Sequence, residues 1–118
     1  MSQTSEQFVE TLVERWRLMG NQAYRGGNLR KAEEYYTSGL NCASSHGALR
    51  SCLGAVVLCY SDRALTRMSL GRMREAIEDC MKASTIDPKF LKVEVTSGSC
   101  YLALGEIDDA GKCFMKCF

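Results

Sequence analysis

The sequence predicts an all-α solenoid of three antiparallel helix pairs, on three observations. Gly71, Ala76 and Ala83 recur as Gly105, Ala110 and Cys117, each 34 residues further on, and Gly27, Ala32 and Gly39 stand in the same order 44 residues upstream. A period near 34 with a glycine between two apolar-periodic arms is the spacing of stacked helix-turn-helix units. One proline and ten glycines in 118 residues, the glycines mostly between those arms, favour long helices joined by tight turns. Within each arm, apolar residues recur at helical rather than strand spacing.

The first helix is expected from Thr4, with Thr4 and Gln7 as a capping box and Phe8, Leu12, Trp16, Met19 and Tyr24 as its apolar face. It should stop at Gly26-Gly27, and Asn28 should cap the second helix, Leu29 to Cys42, which turns Ala32, Tyr36 and Leu40 inward. After a break at Ser44 to Gly47, a long third helix carries Leu49, Leu53, Val56, Tyr60, Ala64 and Met68. The ten extra residues of this stretch read as added helical turns, and Gly71 ends the helix. Met73 to Ile86 forms the fourth. Asp87-Pro88 has the form of a cap and first-turn proline for a fifth helix running to Leu104, and Ile107 to Phe118 forms the sixth. The domain plan is therefore a single unit, 1–118. Its first repeat is about 13–46 after an N-terminal helix extension, an insertion covers 47–56, the second repeat is about 57–90 and a shortened third is about 91–118. No C-terminal capping helix follows. Solenoids generally need such caps, so the chain reads as a piece of a longer protein or as one covered by another copy.

Fifteen basic residues face fourteen acidic ones without forming a stripe, so neither nucleic acid nor an anionic membrane is an expected partner. The N-terminus MSQTSEQFVE is not signal-like, and no apolar run approaches the roughly 18 to 20 residues of a membrane span, which points to the cytoplasm, with the nucleus as a second location. Seven cysteines with one histidine and no CxxC pattern fit neither a disulfide framework nor a zinc site. Cys80 and Cys117 read as compact apolar residues of the repeat, and Cys113 and Cys117 as neighbours on one helix face. No metal or cofactor is expected. His46 has no fixed nucleophilic partner and no phosphate-binding GKS or GKT follows a glycine, so catalysis is not expected. Arg63 with Asp79 reads as a structural pair between helices, Met68, Met73 and Met81 as helix packing, and Arg25, Arg67 and Arg72 as a solvated basic rim.

The string RLMGNQAYRGGNLRKAEEYYTSGL, with Trp16, Gly20, Gly27, Ala32 and Tyr36, resembles a tetratricopeptide repeat. So do Tyr60, Ala64, Gly71, Ala76, Ala83 and Pro88 in YSDRALTRMSLGRMREAIEDC, and Gly98, Tyr101, Gly105, Ala110 and Phe114 near the end. The resemblance covers about Val13 to Phe118 and implies a right-handed superhelix. It is strongest to the heat-shock co-chaperone branch, particularly plant proteins that join such repeats to a J-domain, although no His-Pro-Asp motif is present.

That branch implies a groove that clamps the C-terminal Glu-Glu-Val-Asp tail of cytosolic heat-shock chaperones with five polar side chains. Carried over by position, the set is Arg17, Asn21, Asp62, Lys92 and Thr96. Arg17 and Asn21 lie four apart on one helix face. Asp62 puts a carboxylate where an amide donor should meet a carboxylate ligand, and Thr96 removes a cation. Together these changes should weaken such a tail by roughly 2 to 5 kcal/mol. The expected function is thus a non-enzymatic co-chaperone module with a degenerate carboxylate clamp. The alternative is a scaffold that associates with another protein or with itself through its exposed last helix and ignores chaperone tails.

Overall fold

Gly27, Gly71 and Gly105 have φ of 81°, 81° and 77°, so the three glycines that mark the repeat in the sequence make the same left-handed turn in space. Nothing lies within 4 Å of a Cβ built at any of them, so the constraint is backbone conformation rather than room. Each turn closes identically. The Gly27, Gly71 and Gly105 amides donate to the Tyr24, Met68 and Leu102 carbonyls, and the next amides, of Asn28, Arg72 and Glu106, donate to Ala23, Arg67 and Tyr101. This is the Schellman pattern, which satisfies the last carbonyls of one helix while turning the chain into the next.

The structure, a computed structural model, describes residues 5–45 and 52–118. Six helices follow one another: α1 (Ser5–Arg25), α2 (Leu29–Ser45), α3 (Leu53–Ser69), α4 (Met73–Ile86), α5 (Lys92–Ala103) and α6 (Ile107–Met115). Each odd helix packs on the even helix after it, and each even helix on the next odd one. Among the described residues α1 also touches α3 and α3 touches α5, whereas the even helices do not meet. The odd helices are therefore the inner layer of an elongated, 52 × 29 × 20 Å stack. Asn28 caps α2 as expected, its Oδ1 accepting from the Lys31 amide at 3.2 Å.

Small residues set how close the paired helices come. A Cβ on Gly20 would lie 2.4 Å from the Tyr36 ring, and one on Gly98 would lie 2.5 Å from the Phe114 ring. The corresponding position of the middle repeat is Ala64, whose partner by the same spacing is the small Cys80; both are buried in one cluster. Glycine thus stands where the facing side chain is aromatic, and alanine where it is a thiol, which keeps the volume between helices filled without overlap. Ala32, Ala76 and Ala110 are essentially fully buried. Two apolar clusters result, one around Val9, Val13, Leu40, Val56 and Cys59, the other around Val57, Ile77, Cys80, Val93 and Cys100, and α3 serves both.

Several sequence expectations shift. The buried stripe of α1 runs through Val9, Val13 and Gly20, while Phe8 and Met19 are 54% and 41% exposed. The true face is one residue out of step with the larger side chains, because it must seat small residues against α2. The second helix continues to Ser45, three residues past Cys42. The third starts at Leu53, with Cys52 in a non-helical N-cap conformation; the expected start at Leu49 lies outside the described residues. His46, residues 47–51 and the Thr4 half of the capping box lie outside the described residues. Asp87 and Pro88 belong to a turn rather than to α5: the Asp87 carbonyl accepts from the Phe90 amide at 3.1 Å and its Oδ1 from the Lys89 amide at 3.1 Å. That turn lets Phe90 pack on the second cluster before α5 begins at Lys92. The last helix ends at Met115, three residues short of Phe118. Met68 and Met73 pack against the second cluster, but Met81 is 61% exposed and is not packing.

The Arg63–Asp79 pair is structural, as expected. Arg63 Nε and Nη2 reach Asp79 Oδ2 and Oδ1 at 2.9 and 2.7 Å, its Nη1 reaches Thr37 Oγ1 at 3.1 Å, and Asp79 is fully buried. Arg67 also binds Asp79, at 3.0 Å, and shares Glu33 with Arg72. Arg67 and Arg72 are therefore bonded into a chain of charges joining α2, α3 and α4, rather than standing as a solvated rim.

Candidate functional site

The inner layer carries all five sequence-selected residues and brings Arg17, Asn21 and Asp62 together on one wall. Arg17 and Asn21 sit one turn apart on α1, Asp62 on α3, and Lys92 and Thr96 one turn apart on α5. Arg17 is the centre. Its Nε and Nη2 grip both oxygens of Glu14 at 3.0 and 3.1 Å, and its Nη1 lies 3.4 Å from Asp62 Oδ2. Arg17 and Asp62 side chains are each 17% exposed, so the contact is only partly shielded from water. Burial raises the Asp62 carboxyl above its ordinary range, more than the nearby positive charges of Arg17 and Lys92 pull it down. The Arg17 guanidinium is stabilised in its charged form, chiefly by the Glu14 bonds.

Asn21 is held by α2. The Tyr36 hydroxyl donates to Asn21 Oδ1 at 2.6 Å, and burial raises the Tyr36 phenol so that it stays a donor. With its oxygen occupied, Asn21 keeps both amide hydrogens for another acceptor. Lys92 is exposed and makes no ion pair among the described residues, although its charge is felt at Asp62. Thr96 behaves differently. It is 5% exposed and its hydroxyl donates to the Lys92 carbonyl of its own helix at 3.3 Å, so it brings no donor to the groove.

Between α1 and α3 the wall opens into a 150 Å³ cavity lined by Asn21, Tyr24, Arg25, Tyr36, Asp62 and Leu65. Four of these, Tyr24, Arg25, Tyr36 and Leu65, were missed as site residues by sequence reasoning, Tyr36 having been read only as an inward-facing residue of α2. Tyr24, read there as part of the apolar face of α1, lines the cavity instead, with its hydroxyl 3.3 Å from Ser69 Oγ. Arg25 and Leu65 complete the wall. Tyr24 and Arg25 follow Asn21 by three and four residues, and Asn21 follows Arg17 by four, so helical spacing carried the signal. Glu14 was also missed, three residues ahead of Arg17.

The site thus holds carboxylate-binding groups, one of which is already answered from within: Glu14 and Asp62 neutralise Arg17, while Arg25 and Asn21 line the cavity and the Lys92 charge acts on Asp62. The cysteines lie elsewhere. Burial pushes the Cys59 and Cys80 thiols up to about 12, so both remain neutral packing groups. Cys117 is only half-buried and lies beyond α6, its Sγ 4.0 Å from the Cys113 carbonyl. Among the described residues no helix is long and apolar enough to cross a membrane.

The tetratricopeptide-repeat model matches residues 59–90 and 95–118. The Hsp70/Hsp90 co-chaperone Cns1 of Saccharomyces cerevisiae is 28% identical over 99 residues, covering 84% of this chain and 24% of its own. The human DnaJ homolog subfamily C member 7 is 27% identical over 111 residues, covering 94% of this chain and 20% of its own. The chain therefore spans a quarter or less of the length of these curated relatives. They carry the co-chaperone resemblance as a whole rather than its plant J-domain branch. Among solved structures, the second repeat domain of Spaghetti (RPAP3), bound to the HSP90 peptide SRMEEVD, superposes with a TM-score of 0.81 at 23% identity, covering 95% of this chain and 94% of that one. This chain is a tetratricopeptide-repeat solenoid, homologous to the repeat arrays of Hsp70/Hsp90 co-chaperones.

Proposed function

We propose that the chain is a non-enzymatic, cytosolic peptide-binding module whose groove along α1, α3 and α5 takes the acidic C-terminal tail of a heat-shock chaperone through a weakened carboxylate clamp. The observation that carries it is the meeting of Arg17, Asn21 and Asp62 on one wall, with Lys92 close enough to act on Asp62. Arg17, Lys92 and the Asn21 amide are the donors a terminal carboxylate prefers. Glu14 and Asp62 compete with the ligand for Arg17. The yeast and human relatives support the ligand class, and the human one supports a parent protein that joins the array to a J-domain outside these residues.

Titration with labelled SRMEEVD peptide tests the assignment. Binding should be weak and salt-sensitive, and Asp62→Asn with Thr96→Arg should tighten it; an unchanged affinity in the double variant removes the clamp.

A second reading rests on exposed apolar side chains of the last repeat. Leu102, Ile107, Met115 and Phe118 are 48%, 62%, 69% and 98% exposed, which suits contact with another protein or a second copy. A mass that rises with concentration in light scattering, together with peptide binding indifferent to Lys92→Ala, would favour it.

A further inference from the structure

Glu94 breaks the pattern of its own repeat position. The residues 34 and 78 before it, at the same place in the earlier units, are Tyr60 and Trp16, both aromatic. With a carboxylate in place of a ring, a 310 Å³ notch opens between α4, α5 and α6, walled by Ile77, Met81, Thr85, Tyr101 and Lys116. Glu94 lies at its base with its side chain 8% exposed. It is two residues, or about 200°, round α5 from Lys92, so the notch opens away from the peptide groove and shares no lining residue with the cavity there.

A buried carboxylate needs strong partners, and this one is under-supplied. A carboxylate has about four acceptor positions. Among the described residues, Oε1 accepts from Ser84 Oγ at 3.1 Å, and Oε2 has only the Lys116 ammonium at 3.5 Å, from a side chain 62% exposed. The equivalent lysine of the middle repeat, Lys82, lies 5.8 Å from the Tyr60 ring centre, so a cation over this position is a repeated feature of the stack. In the last repeat that cation is loosely held and displaceable.

We propose that the notch is a docking site for an arginine side chain of a partner protein, on the outer face of the solenoid. Ile77 and Met81 suit the aliphatic stem, while the planar fork of a guanidinium can satisfy both free acceptor directions of Glu94, as a single ammonium cannot. Lys116 yields its place and stays solvated.

The test uses the whole chain with ¹³C-methyl methionine and the capped peptide acetyl-Ala-Arg-Ala-amide as probe, with citrulline and lysine peptides as comparisons. The arginine peptide should shift the Met81 methyl saturably, the citrulline peptide should not, and the lysine peptide should bind more weakly. Glu94→Gln should weaken binding roughly ten- to hundredfold. Lys116→Ala, on an exposed residue, should tighten it by about two- to fivefold. Arg17→Ala should leave it unchanged. No saturable shift, equal binding of all three peptides, or indifference to both Glu94→Gln and Lys116→Ala overturns the proposal.

Discussion

Arg17 Nη1 lies 3.4 Å from Asp62 Oδ2, across the α1–α3 gap and within the same wall as the Asn21 amide. The cation best placed for a ligand carboxylate is thus already paired with a protein one. Asp62→Asn should therefore strengthen binding of an acidic C-terminal peptide by about 1 to 3 kcal/mol, roughly five- to 150-fold, since it removes like-charge repulsion and releases Arg17. Glu14→Gln should act in the same direction through the other two Arg17 bonds. Isothermal titration on the two single variants and the double variant measures this. Because both carboxylates bind one guanidinium, their effects should not add.

The raised Asp62 carboxyl sets a pH dependence. Its folded pKa is above the ordinary value, so between the two values the folded state holds the proton that the unfolded state has released. Stability contributed by this group is therefore greatest on the acid side and falls as pH rises through the folded pKa. Peptide affinity should follow the same sign, rising on acidification from neutrality as the repelling charge is lost, until the ligand's own carboxylates protonate near about pH 4. Fluorescence anisotropy across that range should show the rise in the native chain and a flat profile in Asp62→Asn.

Much of this was legible in the sequence, and the misses have physical causes. Gly71, with Asp87-Pro88 beyond the helix, delimited α4 to the residue because a left-handed turn and a chain reversal bracket it. The same Asp87-Pro88 pair misled for α5, since an aspartate that caps a turn and one that caps a helix look alike until Phe90 is known to pack inward. On α1, large apolar side chains drew attention from Val9, Val13 and Gly20, whose smallness lets α2 approach. Arg17, Asn21 and Asp62 came from resemblance alone. The Tyr36–Asn21 bond joins residues fifteen apart through a tertiary contact that spacing does not encode.

Gly98 faces the Phe114 ring at 2.5 Å for an added Cβ, so Gly98→Ala should destabilise the chain by about 1 to 3 kcal/mol through overpacking, despite its better helix propensity. Phe114→Cys alone should also destabilise, by leaving space. The two together reproduce the Ala64–Cys80 pair of the middle repeat, so the double variant should be more stable than the sum of the singles. Thermal unfolding of the four proteins closes the cycle, and strict additivity would show that the two positions do not constrain each other.

The Arg63–Asp79 pair should behave oppositely to Arg17–Asp62. Asp79 is fully buried with three bonds from two arginines, whereas the groove pair is partly wet and looser. Asp79→Ala leaves Arg63 inside without its counterion and should cost about 3 to 5 kcal/mol, a large share of the 5 to 15 kcal/mol typical of a domain. Arg63→Met with Asp79→Leu removes both charges and should recover most of that loss, because desolvation of the pair is removed along with its attraction. Arg17→Ala, by comparison, should change urea midpoints little while abolishing peptide binding. Chemical denaturation of these variants separates the charges that hold the solenoid together from those that face its ligand.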